Sequence, residues 1–192
     1  MSDTNFPPGE FADQDRISVS DIVLAPPNLG SSLDDIFKLS HVTNSTFERI
    51  TVVAGAQIEN ALDMNRMCCG NTFKQLKLDA GKECAILCKG GSCDNSWDDV
   101  ELTRAGGHSD IFIGDFSDQS KASSVNNRFN NVRRKDGQPV RVRWTFFRAR
   151  KPIITNSQVT YQYGWSLIST VYVETKYRFP KFVAYLESKF GS

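Results

Sequence analysis

Residues 45–62, STFERITVVAGAQIENAL, decide how the N-terminal half of this chain is read. Ser45 and Glu48 have capping-box spacing, with Thr46 and Phe47 between them. Apolar residues then fall at Phe47, Ile50, Ala54, Ile58, Ala61 and Leu62, in steps of three and four. That is the period of one face of an amphipathic helix, running on towards Cys69 and closing at Gly70. The β-branched run Ile50-Thr51-Val52-Val53 lowers helix propensity locally, but the spacing predicts a helix.

Working outward, Ser32 before Leu33-Asp34-Asp35 puts a capping hydroxyl and two carboxylates at another helix start. Phe73, Leu76, Ala80, Cys84, Leu87 and Cys88 give a second, weaker helical face, with a strand pair as the competing reading. Gly81 lowers its stability, and Gly90-Gly91 would end it. Residues 1–30 carry Pro7-Pro8-Gly9, Pro26-Pro27 and Gly30 among acids, and are expected to form a flexible acidic arm. The short apolar patch Ile22-Val23-Leu24 could dock that arm on the body.

Beyond Gly91 the texture changes to short alternating segments. Val100-Glu101-Leu102 and Ile111-Phe112-Ile113 read as brief strands around the turn at Gly106-Gly107. Residues 117–138 form a long polar connection, closing at the turn pair Asp136-Gly137. From Val159 to Phe179 apolar and aromatic residues hold nine of the eleven odd positions, a period of two that predicts half-buried antiparallel strands. Pro180 suits the first turn of a closing helix over 181–190. The expected fold is therefore a single α+β domain over 31–192. Its N-terminal amphipathic helices (31–90) would pack on a C-terminal antiparallel sheet within a β-rich region (98–179).

Charge is the strongest functional signal. Residues 1–118 hold nine Lys/Arg against nineteen Asp/Glu, whereas 119–192 hold fourteen against three. The formal net charge of +1 conceals this polarity. The basic half concentrates its charge between Lys121 and Lys151. Arg128, Arg133, Arg134, Lys135, Arg141, Arg143, Arg148, Arg150 and Lys151 stand there against the lone acid Asp136. Arginine binds phosphate bidentately and stacks on bases, and Phe129, Trp144, Phe146 and Phe147 are interleaved. If 139–147 is a strand, Val140, Val142, Trp144 and Phe146 share one face, while Arg141 and Arg143 project from the other. These nine cations are the predicted polyanion-binding residues, with RNA as the partner and an anionic lipid surface as the alternative. No RNP, KH or zinc-knuckle pattern accompanies them.

Other chemistry is weakly signalled. Cys84, Cys88 and Cys93, with Cys68-Cys69 upstream, lack the second matched pair of a zinc ribbon. Two of them also fall on an apolar stripe, so buried, reduced thiols are expected. His108, in Gly106-Gly107-His108-Ser109-Asp110, could serve a small hydrolase with Cys93 as nucleophile, but no nucleophile motif supports it. Asp94, Asp98 and Asp99 lack calcium-loop order, and Gly90-Gly91 lacks the Lys-Ser/Thr of a phosphate loop. No cofactor is expected. No apolar run approaches the ~20 residues that span a bilayer. The N-terminus lacks the apolar core of an export signal. A cytoplasmic or nucleocytoplasmic protein that is not secreted is expected.

An acidic arm, a helical section, reduced cysteines and a basic-aromatic β flank together resemble the build of small viral structural proteins of the matrix or coat kind. That resemblance implies a virion component without enzymatic activity, which self-associates as a homo-oligomer and touches RNA or membrane. Its departure is the acidic, not basic, N-terminal arm. The alternative is a regulatory or host-interaction adaptor that captures a protein partner through residues 1–30.

Overall fold

The computed structural model describes residues 9–26, 35–53, 58–79, 81–104, 107–114, 123–145 and 149–162. Among them there is no helix. Instead the chain winds in stacked coils, each laying strands onto those of the coil before. The first coil holds β1 (Gly9–Ala12), β2 (Ser18–Ser20) and β3 (Val23–Leu24). The second holds β4 (Asp35–Ser40), β5 (Thr46–Glu48) and β6 (Thr51–Val52). Next come β7 (Asn60–Asn65) with β8 (Thr72–Asp79), then β9 (Cys84–Cys88) with β10 (Ser96–Arg104). They are followed by β11 (Ile111–Ile113) with β12 (Arg128–Arg134), and by β13 (Val140–Trp144) with β14 (Ile153–Thr155). Strand β15 (Val159–Tyr161) opens a seventh coil.

Two parallel sheets result. One runs β1-β4-β7-β9-β11-β13-β15, and the other runs β2-β5-β8-β10-β12-β14, with β3 and β6 beside it. This is a parallel β-solenoid, and it overturns the α+β expectation of helices packed on an antiparallel sheet. The predicted helix over 45–62 is β5, β6 and the start of β7. The second predicted helix is β8 and β9. The strands expected at Val100–Leu102 and Ile111–Ile113 lie in β10 and β11, but each pairs in parallel with a neighbouring coil. Residues 9–24, part of the segment read as a flexible arm, lay β1, β2 and β3 on the second coil. The period-two stretch beyond Gln162 and the closing helix at 181–190 lie outside the described residues.

A repeated local pattern explains why the chain coils. Phe47, Phe73, Trp97 and Phe129 are in register on adjacent strands. In each coil the residue two further on adopts a left-handed backbone: Arg49 (φ 52°), Gln75 (φ 53°), Asp99 (φ 56°) and Asn131 (φ 51°). That residue turns a corner, so the next apolar residue (Ile50, Leu76, Val100 or Val132) points inward as well. All of these apolar side chains are buried. A second left-handed column, Arg16, Asn44, Gly70, Asp94 and Asn126, makes the corner that precedes β2, β5, β8, β10 and β12.

The interior is closed by two ladders that run along the solenoid axis. The rings of Phe47, Phe73, Trp97 and Phe129 stack with centroid spacings of 5.2, 5.1 and 4.2 Å, at 12° or less between planes. Offset stacking of this kind adds roughly 0.5–1.5 kcal/mol per pair beyond area burial. Beside them, the buried side chains of Ser45, Asn71, Asn95 and Asn127 occupy equivalent corner positions. Asn95 Nδ2 donates to Asn127 Oδ1 (3.0 Å) and to the Cys68 carbonyl (2.8 Å). Its own Oδ1 accepts from the backbone N–H (3.0 Å) and the side-chain amide (3.1 Å) of Asn71. Asn71 repeats the arrangement, donating to the Val42 carbonyl (2.8 Å) and accepting from the Ser45 N–H (3.0 Å). The ladder thereby satisfies corner backbone groups that the sheets leave over, in a place water does not reach.

Cys69 and Cys93 join the third and fourth coils through a disulfide at this corner, with Cα atoms 4.6 Å apart. The expectation of five reduced thiols is corrected for these two, which the coil register brings together. Cys68, Cys84 and Cys88 are free and buried.

Candidate functional site

Stacking turns chain order into axial order, so the sequence's charge polarity becomes a polarity along the solenoid. The described residues of 9–114 carry nine Lys/Arg against fifteen Asp/Glu; those of 123–162 carry eight against one. The acidic coils lie towards one end and the basic coils towards the other.

Within the basic coils the nine predicted residues divide into groups of different character. Arg134 and Arg141 converge on Asp110, whose side chain is fully buried. Arg141 Nη2 stands 3.1 Å from Asp110 Oδ1, and the Arg141 backbone N–H donates to Asp110 Oδ2 at 2.8 Å. Arg134 also pairs with Asp136 across the β12–β13 turn. Arg133 reaches Asp99 at 2.7 Å and Glu101 at 3.6 Å, on the strand next to its own. Arg143 is 3% exposed, with its guanidinium 4.2 Å from the centroid of the Phe112 ring. Burial lowers its pKa from the usual arginine value. Four arginines are thus occupied in structural pairs or packing, and acids from the other half of the sequence answer three of them.

The remaining cations face water. Arg128, Lys135, Arg150 and Lys151 are exposed. Arg128 opens β12 directly opposite Ile153 of β14. Arg150 and Lys151 lead into that same β14, and the Arg150 N–H donates to the Ser124 carbonyl of the coil before. Lys151 Nζ sits 3.9 Å over the Tyr161 ring, a cation–π contact. Lys135 lies just past the far end of β12. Of the interleaved aromatics, Phe129 and Trp144 point into the core. Arg148, Phe146, Phe147 and Lys121 lie outside the described residues.

The hydrolase candidates do not assemble. Cys93 is held in the disulfide, so its sulfur is unavailable as a thiolate. The Asp110 carboxylate is engaged by Arg134 and Arg141. Burial pushes the free thiols up, Cys68 to about 11 and Cys84 to about 12, which leaves them unreactive near neutrality. Asp94, Asp98 and Asp99 accept from Asn126, Asn130 and Asn131 of the following coil, at 3.0, 2.7 and 3.1 Å.

One cluster escaped the sequence reading. Asp35 on β4 and Asp63 on β7 lie on neighbouring strands, with Asn60 Nδ2 donating to Asp35 Oδ1 (2.9 Å) and Lys89 Nζ 3.0 Å from Asp63 Oδ2. Asp63 is fully buried. Burial, reinforced by the neighbouring Asp63 charge, raises Asp35 to about 7. The available signal was a single acid inside the otherwise apolar Ala61-Leu62-Asp63-Met64.

No protein-family model, curated protein or solved structure matches this chain.

Proposed function

We propose that this protein is a non-enzymatic structural and assembly protein whose basic coils bind a polyanion, RNA in the first instance. The observation that carries the proposal is the axial separation of charge, with four outward cations (Arg128, Lys135, Arg150 and Lys151) on the basic coils. An extended polyanion gains from several such cations at once by releasing counterions, whatever its sequence. The same polarity favours head-to-tail association of copies, because the acidic end of one solenoid then meets the basic end of the next. This is the behaviour that the resemblance to small viral structural proteins implies. Among the described residues, no helix is long and apolar enough to cross a membrane.

The test is binding of fluorescent single-stranded RNA to nuclease-treated protein across a salt series. If all four cations contact phosphates, log K falls with log[salt] at a slope of about 3, at roughly 0.7 per phosphate neutralised. The Arg128/Lys135/Arg150/Lys151→Ala variant should lose most of that slope. Equal binding by parent and variant refutes the assignment. Binding to anionic vesicles without binding to RNA would move the partner to a lipid surface.

A further inference from the structure

The two turns stacked at one corner of the basic coils enclose a cleft of about 310 Å³. Its wall is built by Arg133, Arg134, Gly137 and Gln138 around the β12–β13 turn, and by Asn156, Ser157 and Gln158 between β14 and β15. Val132 and Val140 close it from the strands. We propose that this cleft is a binding site for a neutral saccharide unit; of the exposed cations assigned to the polyanion none lines it, and Lys135 alone adjoins it in the β12–β13 turn.

Charge balance argues for a neutral ligand. Both arginines at the cleft are already matched, Arg133 by Asp99 and Glu101 and Arg134 by Asp136 and Asp110. An anion entering here meets guanidiniums that already hold ion pairs with carboxylates, Asp110 being shared with Arg141; Lys135, the exposed cation of the same turn, does not line the cleft. A hydroxyl does not have that difficulty, because it donates one hydrogen bond and accepts two. The groups on offer suit it. Gln138, Asn156 and Gln158 are exposed primary amides from two successive coils, each able to donate and accept.

The amides are also set on a firm frame. Asn156 Nδ2 is fixed by a 2.7 Å hydrogen bond to Asn130 Oδ1, which leaves the Asn156 carbonyl side available. The Val140 N–H donates to the Gln158 carbonyl at 2.8 Å, tying the two turns together. Ser157 Oγ accepts from the Val132 N–H at 2.8 Å and donates to the Thr155 carbonyl at 2.8 Å. Gly137 (φ 73°) adopts the left-handed backbone of the turn at the mouth of the cleft. At about 310 Å³ the space lies at the lower end of small-ligand sites, enough for one or two sugar rings.

The experiment is a titration of ¹⁵N-labelled protein with cellotetraose, xylotetraose and maltotetraose, with tetragalacturonate as the anionic arm. A neutral tetrasaccharide should shift the side-chain amide signals of Gln138, Asn156 and Gln158. The Gln138→Ala/Gln158→Ala variant, whose changes lie on exposed side chains, should raise the Kd at least tenfold while its remaining spectrum is preserved. RNA binding by that variant should be unchanged, which keeps this site distinct from the polyanion surface. Shifts at the cleft with tetragalacturonate alone would overturn the neutral-ligand argument. No shift with any of the four at 10 mM sugar would overturn the site.

Discussion

Replacing Asn95 by Ala tests the physical logic of the solenoid, because Asn130 one coil on provides a control of the same residue type. Asn95 is 0% exposed and its side chain makes four hydrogen bonds, two donated and two accepted. Truncation leaves the Asn71 backbone N–H without that acceptor in a dry corner, at about 1–3 kcal/mol for an orphaned buried donor. The Cys68 carbonyl keeps a bond from the Cys93 N–H, and Asn71 Nδ2 keeps the Val42 carbonyl. Their losses are therefore smaller, of the order of 0.5–1 kcal/mol each. The total is about 3 kcal/mol. Asn130 makes three side-chain bonds, to Asp98, Thr155 and Asn156, but in contact with solvent. Water replaces those partners, so Asn130→Ala should cost under about 1 kcal/mol. Urea unfolding followed by both far-UV CD and tryptophan fluorescence measures the difference and checks that the two probes coincide. A cost for Asn95→Ala no greater than for Asn130→Ala would refute the argument that the ladder satisfies the buried corners.

Three other outcomes are expected. Gly81→Ala would put a Cβ 1.9 Å from the Ile58 carbonyl oxygen, so it should unfold the protein or cost more than about 3 kcal/mol by calorimetry; Gly137→Ala meets no atom within 4 Å and should cost about 1 kcal/mol for its left-handed backbone. Asp35 has a folded pKa near 7 against 3.8 unfolded, so its contribution is complete below pH 4 and is lost as pH rises through 7. The parent should therefore melt at lower temperature at pH 8 than at pH 5.5, by an amount that Asp35→Asn reduces; an unchanged difference would contradict the raised Asp35 pKa. Cys69→Ser/Cys93→Ser should lower stability by about 3 kcal/mol, as expected for a loop of 24 residues, and reductant should then have no further effect on melting.

The apolar residues that suggested a helix over 45–62 are core residues, and their spacing was informative about burial. Phe47, Ile50, Ile58, Ala61 and Leu62 are all fully buried. What misled was the step of three from Phe47 to Ile50. Along an uninterrupted strand that step would put the two on opposite faces, whereas on a helix it keeps them together. The left-handed corner at Arg49 resets the alternation, and a coiled strand pair then imitates a helical period. The distinguishing signal is repetition. Thr46-Phe47-x-x-Ile50-x-Val52 recurs as Thr72-Phe73-x-x-Leu76-x-Leu78 and Ser96-Trp97-x-x-Val100-x-Leu102, at offsets of 26 and 24 residues. The preceding Ser45, Asn71 and Asn95 recur with it, and so does Asn127 before Phe129. Repeats of this length are the mark of a solenoid.

The candidate site was legible in outline only. The charge gradient is a property of chain order, and a one-dimensional fold preserves it. Which arginines remain free depends on register. Arg133 lies opposite Glu101 and Arg134 opposite Leu102 because β12 pairs with β10 residue for residue. No local pattern announces that Asp110 will stand beside Arg141, 31 residues away. Strand Val140–Trp144 and its inward Val140, Val142 and Trp144 were readable from alternation alone. Burial of Arg143 against Phe112 was not, because alternation puts Arg143 on the face expected to meet water.

In-register parallel stacking of the coils is the claim from which the ladders, the corners and the axial charge all follow. It is tested most directly by backbone NOEs on uniformly ¹³C,¹⁵N-labelled protein around Phe73, Trp97 and Phe129. In-register stacking predicts interstrand contacts of parallel type linking Phe73 to Trp97 and Trp97 to Phe129, with no helical Hα(i)–HN(i+3) series between Phe47 and Val53. A helical series there, or an antiparallel pattern around Trp97, would contradict it.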